Sequence, residues 1–381
     1  MTERMITIST DSSDPAFVLS RPRRTVSATA GDTVFRSAHD AITALRSGRI
    51  SHIVGALPFS PGAPAALWAP DSVTITDAPH RPEPRALPGF TIDAAIPAPE
   101  EHHRRVAAAV ELLASPGHPV RKVVLARAVR GIATQPVRAH HILDLMVASD
   151  PHANGFLVDL SAAGGRYPGL HLVGSSPEIL VRRDGNEILS HPLAGSARRV
   201  HTDSHADQAA ADALLGSPKD HAEHRFVTDQ VSTVLRDRCA DVRTPAPELT
   251  STPAMWHLGT PITASVPTAG PTALELAVAL HPTPAVCGTP TAAAARVIAE
   301  LEGERGFYAG AVGWCDAEGN GEWMVSIRCA ELSADGLSLL AHAGGGIVAE
   351  SDPAAELAET TGKLGRILGA LGVTDLPITV S

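Results

Sequence analysis

Apolar and polar positions along the chain alternate with two different periods, and the switches between them outline the elements. A period of two runs through Lys122-Val-Val-Leu-Ala-Arg-Ala-Val129 and sets Lys122 on one face of a strand with Val124, Ala126 and Ala128. GFLVDLS from Gly155 and LHLVGSS from Leu170 read as further strands, and Glu178 to His191 reads as a hairpin about Asp184-Gly185. Helical spacing marks Glu100 to Ala114, closed by Ser115-Pro116-Gly117, and residues 138–149, 272–280 and 290–302. The longest helix spans about Pro218 to Cys239, with Val227, Val231 and Val234 as its apolar stripe and Phe226 and Leu235 alongside. Four residues before Val227 stands Glu223, so a carboxylate continues a stripe that is otherwise buried. The first hundred residues show only short strand-like runs at 50–59, 66–70 and 72–76, and Asp77 to Gly89 is a joint by composition.

From Gly306 to Leu364 the pattern predicts three or four antiparallel strands and then a helix. Turns at Glu318-Gly319-Asn320-Gly321 and Asp335-Gly336 separate the strands, and Ser351-Asp352-Pro353 opens the helix with a cap and a proline at its first position. Arg328 interrupts the apolar strand MVSIRCA, where a guanidinium without a partner is costly to bury. Gly344, Gly345 and Gly346 read as a loop with exposed N–H groups just before the helix, and an arginine fork beside such a loop suits a carboxylate. The plainer reading of these features is an edge-strand arginine and a flexible turn. Antiparallel strands with intervening helices imply an α+β fold, a single large domain. Residues 1–100 form its variable N-terminal part and 101–375 its functional region.

Composition narrows the partners. The 381 residues carry a formal charge of −10, which argues against binding a phosphate backbone. Cys239, Cys287, Cys315 and Cys329 show no metal-ligand spacing, so no structural zinc is expected. The opening MTERMITISTDSSDP is too polar for a signal peptide, and no apolar run is long enough for a bilayer. The expectation is a soluble cytoplasmic protein with neither nucleic acid nor membrane as partner.

Candidate chemistry rests on a few charged residues, each with an ordinary alternative. Glu223 and Glu359, on two rigid helices without a histidine or cysteine ligand set, would suit Mg²⁺ sharing its shell with substrate and water. Otherwise Glu359 and Lys363 form a surface pair one turn apart. Lys122 by default is a solvated strand end; in a cleft near a metal it would become a general base. Glu178, after a Gly-Ser-Ser-Pro turn, is a solvated strand end or a proton donor. His221 and His224 lack the HExxH pattern, and they, like His102-His103 and His140-His141, are expected on solvated helix faces. Nucleophile elbow, phosphate loop and dinucleotide fingerprint are all missing.

Taken together and in order, KVVLAR, GSSPEIL, PLAGSARR, KDHAEHRFV, WHLGTP, HPTPAVCG, SIRCAEL, GGGIV and ETTGK resemble the signature of chorismate-utilising enzymes, over residues 100 to 370. Within that family the chain is most similar to siderophore-type isochorismate synthases. The resemblance implies an anthranilate synthase component I-like fold with its active site in a central cleft. It implies Mg²⁺ on Glu223 and Glu359, holding the ring carboxylate of chorismate. Arg328, the Gly344–Gly346 segment and Lys363 would orient the carboxylates, while His257, Gly195, Ser196 and Ala285 would line the ring. Lys122 would take a proton from the water attacking C2, and Glu178 would protonate the departing C4 hydroxyl. Ala285 stands where ammonia-using anthranilate and aminodeoxychorismate synthases resemble one another in carrying threonine, which favours water as nucleophile. A salicylate synthase, which goes on to eliminate pyruvate, is the nearest competitor. A catalytically dead binding paralogue would lack a base, acid or metal ligand, and none is missing. A monomer working upstream of an isochorismatase is the expected setting, with 2,3-dihydroxybenzoate and siderophore chemistry beyond.

Overall fold

Lys122–Ala133 is the longest strand among the residues that the computed structural model describes, 14–252 and 255–373. The polar amino-terminal stretch and the last residues of the region 101–375 lie outside them. Its first eight residues are buried on both faces, which explains why Val-Val-Leu-Ala fills the positions between the charged ones. Gly288–Thr289 and Phe90–Ile96 pair with it, and Ser338–Ile347 lies along ten of its residues. Beyond Ser338–Ile347 the sheet continues through Cys329–Leu332, His171–Gly174, Gly155–Asp159, Phe17–Arg21, Arg24–Ala28 and Val73–Thr76.

A second large sheet runs Ala240–Arg243, Ile262–Ser265, Glu187–His191, Ile179–Asp184, Gly321–Val325, Ala311–Asp316, His52–Leu57, Ala66–Ala69 and Thr33–Phe35. The pairings described in both sheets are antiparallel, and strands from the first hundred residues take part in each. One apolar cluster draws on both large sheets, including Phe17, Leu19, Ile53, Leu67, Trp314 and Trp323. Another packs Val129, Leu339 and Ala341 under the helices Ala139–Ser149 and Pro353–Ala370. A third, three-stranded sheet of Leu193–Arg198, Met255–Gly259 and Glu248–Ser251 stands apart from these. The result is the α+β architecture that the pattern implies.

Several local expectations change. Gly344 to Gly346 are not a loop: they lie in Ser338–Ile347 and pair with Ala126, Leu125 and Val124. Arg328 is not inside a strand. It occupies the break between Gly321–Val325 and Cys329–Leu332 with φ of 52°, a left-handed conformation that costs a non-glycine residue energy. His102 and His224, expected on solvated faces, are both 1% exposed. His224 is held by the Thr260 hydroxyl at 2.7 Å, and burial pushes its imidazole down to about 4, so it stays neutral. The helices Ala38–Arg46 and Ser204–Leu215 were not foreseen; only the second lacks a strong apolar stripe.

Candidate active site

Three elements converge on one cleft of about 330 Å³, within the usual range for small-molecule sites. The Lys122 strand forms its floor. The helix Pro218–Arg236 enters from one side, capped by the Ser217 hydroxyl, which accepts from the Asp220 N–H at 3.2 Å. Lys219, Asp220 and Glu223 therefore fall in its first turns and face the cleft. The helix Pro353–Ala370 enters from another side, capped by Asp352, which accepts from the Ala355 N–H at 2.7 Å. Glu356, Glu359, Lys363 and Ile367 recur at helical spacing and line the same space.

Lys122 is 1% exposed, and its ammonium lies 2.7 Å from Glu223 Oε1. Burial pushes Glu223 up, but the charges of Lys122, and then of Lys363 and Lys219, outweigh it, and the carboxyl is held below its ordinary value. Lys363 reaches Glu359 Oε1 at 2.6 Å and also donates to the Gly344 carbonyl at 2.8 Å. The expected i,i+4 pair is thus present, but inside the cleft rather than on an open surface. Glu178 is 3% exposed, and desolvation drives its carboxyl up to about 8 against the opposing pull of the Leu193 N–H, Lys122 and Arg328. It carries a proton at neutral pH.

Glycine matters here because of what its missing side chain admits. A Cβ on Gly346 would stand 2.6 Å from Glu223 Oε1 and 2.9 Å from Lys122 Cε, and one on Gly344 would stand 3.0 Å from the Tyr308 hydroxyl. Gly345 corrects the expectation for the triplet. It does not line the cleft; a Cβ there would meet Glu356 Oε2 at 2.9 Å on the other face of the strand.

Arg328 donates to His257 Nε2 at 2.7 Å, and His257 lies directly across from Ser196 in the three-stranded sheet. That sheet also presents Gly195, whose φ of 78° lets the backbone pass close to Asp220. Ala285 lines the cleft from the segment between the helix Ala273–Leu280 and Gly288. Of the residues singled out in the sequence, Lys122, Glu178, Gly195, Ser196, Glu223, His257, Ala285, Arg328, Gly344, Gly346, Glu359 and Lys363 all border one space.

Others were missed. Lys219 and Asp220 could have been found by stepping back one helical turn from Glu223; His342 could not, because the glycines that follow it read as a loop rather than a strand. His342 stacks on Tyr308 with ring centroids 4.9 Å apart, and burial pushes it down to about 4. Glu356 is one turn before Glu359. Burial first, and Glu359's charge second, push it up to about 7; the Ser351 hydroxyl donates to its Oε1 while Oε2 has no hydrogen-bond partner.

The donor set fits a hard cation. Carboxylates on two helices, Glu223 and Glu359, border one cleft and are the ligands Mg²⁺ takes alongside water and substrate. Among the described residues no three histidine, cysteine or carboxylate side chains are clustered tightly enough to enclose a metal alone.

The family model described as chorismate binding enzyme matches residues 67–372. The chain belongs to this family. One relative of this chorismate-binding enzyme is a Mycobacterium tuberculosis protein described as putative isochorismate synthase MenF, 50% identical over 94% of this chain and 97% of that one. The isochorismate synthase EntC of Escherichia coli K12 is 40% identical over 84% of this chain and 81% of its own. Among solved structures, a putative 2,3-dihydroxybenzoate-specific isochorismate synthase, DhbC from Bacillus anthracis, superposes with a TM-score of 0.85 at 33% identity, covering 95% of this chain and 97% of that one. No helix among the described residues is long and apolar enough to cross a membrane.

Proposed function

We propose that this chorismate-binding enzyme is an isochorismate synthase that adds water at C2 of chorismate and expels the C4 hydroxyl. The observation that carries the reading is Glu178. A carboxyl buried so deeply that it holds its proton to about pH 8 shares a cleft with a lysine and two helix-borne carboxylates. Hydroxide leaves poorly unless protonated, and water attacks poorly unless a base takes its proton. Glu178 supplies the proton to the C4 oxygen; Lys122, in its neutral form, accepts one from water. The C2–O bond forms, both ring double bonds shift, the C4–O bond breaks, and the product is an isomer of the substrate.

Arg328 and Lys363 are the cations placed to receive the substrate's two carboxylates. Glu223 and Glu359 would hold Mg²⁺, with Glu356 beside them. Bound there, the ion would neutralise the ring carboxylate and offset the charge of Glu223. Ala285 leaves the cleft wall beside the ring without a hydroxyl, which supports water rather than ammonia as nucleophile. For the pathway we favour 2,3-dihydroxybenzoate and siderophore chemistry, supported by the relatives named EntC and DhbC; the relative named MenF pulls the other way.

The test is purified protein with chorismate and Mg²⁺, without ammonia, its products resolved by chromatography and NMR. Isochorismate free of pyruvate is expected, and Lys122→Ala is expected to abolish it while chorismate still binds. Salicylate with pyruvate would reassign the reaction, and no turnover with either water or ammonia would sink the enzymatic reading.

A further inference from the structure

Arg127 shares a strand with Lys122 but stands an odd number of residues away, so it points from the opposite face. It is 2% exposed. Its Nε donates to the Thr360 hydroxyl at 2.9 Å, and its Nη2 donates to the Leu357 carbonyl at 3.3 Å and to the Thr361 hydroxyl. Nη1 has no hydrogen-bond partner, and among the described residues no carboxylate pairs with the guanidinium. Burial pushes Arg127 down to about 10. In its field lies His102, also buried, with neither ring nitrogen hydrogen-bonded.

A buried cation without a counter-ion is a poor choice for stability, and leucine or methionine would fill such a place at lower cost. A guanidinium does one thing that they cannot. Its planar fork reaches three acceptors on successive turns of one helix. That helix, Pro353–Ala370, carries Glu356, Glu359 and Lys363 into the cleft, and the three acceptors belong to residues between and beside them. Arg127 therefore ties the helix that presents the carboxylates to the strand that presents Lys122, and it does so from outside the cleft.

We propose that Arg127 is a positioning residue that fixes this helix against the Lys122 strand and so sets where Glu359 and Lys363 stand. The inference rests on the reading of the cleft as a Mg²⁺-dependent chorismate site. Arg127→Lys keeps the charge and loses the fork, Arg127→Met keeps the bulk, and Thr361→Val removes one acceptor with Arg127 intact. Two measurements need no turnover: hydrogen exchange of the unliganded protein, and calorimetric titration with Mg²⁺. Amides of residues 353–364 are expected to exchange faster in every variant that folds, while those of Pro218–Arg236 keep their protection. Mg²⁺ affinity is expected to fall about 10- to 100-fold, as for other residues that orient metal-binding groups. The double variant Arg127→Lys with Thr361→Val should be no worse than the poorer single one. Variants that lose thermal stability but keep wild-type exchange at 353–364 and wild-type Mg²⁺ affinity would overturn the proposal and make Arg127 a packing residue. Should the wild-type protein neither bind Mg²⁺ nor convert chorismate, the functional reading falls, and the exchange comparison alone still decides whether Arg127 holds the helix.

Discussion

Lys122 Nζ and Glu223 Oε1 lie 2.7 Å apart across the floor of the cleft, with only the hydrogen of Gly346 between them and the adjacent strand. The proposed base and a proposed metal ligand are therefore partners. While the pair is intact the Lys122 nitrogen is engaged by Glu223 rather than by a water. The two roles would become compatible if a bound cation drew Glu223 away, which would tie metal dependence to the freedom of the base.

Gly346→Ala tests how much this geometry depends on empty space. The added Cβ would sit 2.6 Å from Glu223 Oε1 and 2.9 Å from Lys122 Cε, so one or both side chains must shift. Turnover is expected to fall about 100-fold, the scale of a 1 Å misplacement, with a stability loss of about 1–3 kcal/mol. Gly362→Ala is the control. Nothing lies within 4 Å of its Cβ, and in mid-helix the change should stabilise by about 1 kcal/mol without altering turnover.

These glycines also show where sequence reading stops. Their identity was legible, but their place in a ladder opposite Val124, Leu125 and Ala126 was not, because a run of glycine has no side-chain period to reveal a strand. The helices bearing Glu223 and Glu359 were legible because each combines a cap, a proline at its first turn and an apolar stripe. Arg328 stood out in the sequence as a charge among apolar neighbours, but its left-handed backbone could not be seen in its one-letter surroundings. His224 was misplaced because its partner, Thr260, is 36 residues away and no local pattern connects them.

Arg328→Gly separates strain from binding. At φ of 52° glycine is relaxed where arginine is not, by about 1 kcal/mol, and that relief offsets the lost hydrogen bond to His257. Thermal stability should change by less than about 1 kcal/mol. The KM for chorismate should rise roughly 10- to 100-fold, the cost of losing a charged hydrogen bond to a carboxylate. An unchanged KM would remove Arg328 from the binding site.

Glu223→Gln and Glu359→Gln should both weaken Mg²⁺ binding in calorimetry, and chelation should stop turnover in the wild-type protein. Their stabilities should differ. Glu223→Gln leaves Lys122 buried without its counter-charge, a loss of about 3–5 kcal/mol. The Glu359 side chain is 35% exposed in its pair with Lys363, so Glu359→Gln should cost less than about 1 kcal/mol. Equal melting temperatures for the two variants would contradict the buried pair.

Glu178 gives the sharpest pH signature. Its carboxyl titrates near 8 in the folded protein against an ordinary value of 4.5, so the folded state binds its proton more tightly than the unfolded state. Below 4.5 both states are protonated and the group exerts no penalty. As pH rises from 4.5 to about 8 the unfolded chain gives up the proton while the folded one keeps it, and stability falls by about 1.4 kcal/mol per pH unit across that window. Glu178→Gln, which resembles the protonated carboxyl in shape and charge, removes this term. The variant should match the wild type near pH 4.5 and become progressively more stable than it up to about pH 8, as read by chemical denaturation at each pH. Turnover should move the other way. The wild-type rate should decline above about pH 8 as the acid ionises, while the variant, folded and able to bind chorismate, should lack the proton donor and stay inactive throughout. A variant that keeps the wild-type rate would remove Glu178 as the acid. One that tracks the wild-type stability at every pH would mean that its carboxyl is not held protonated.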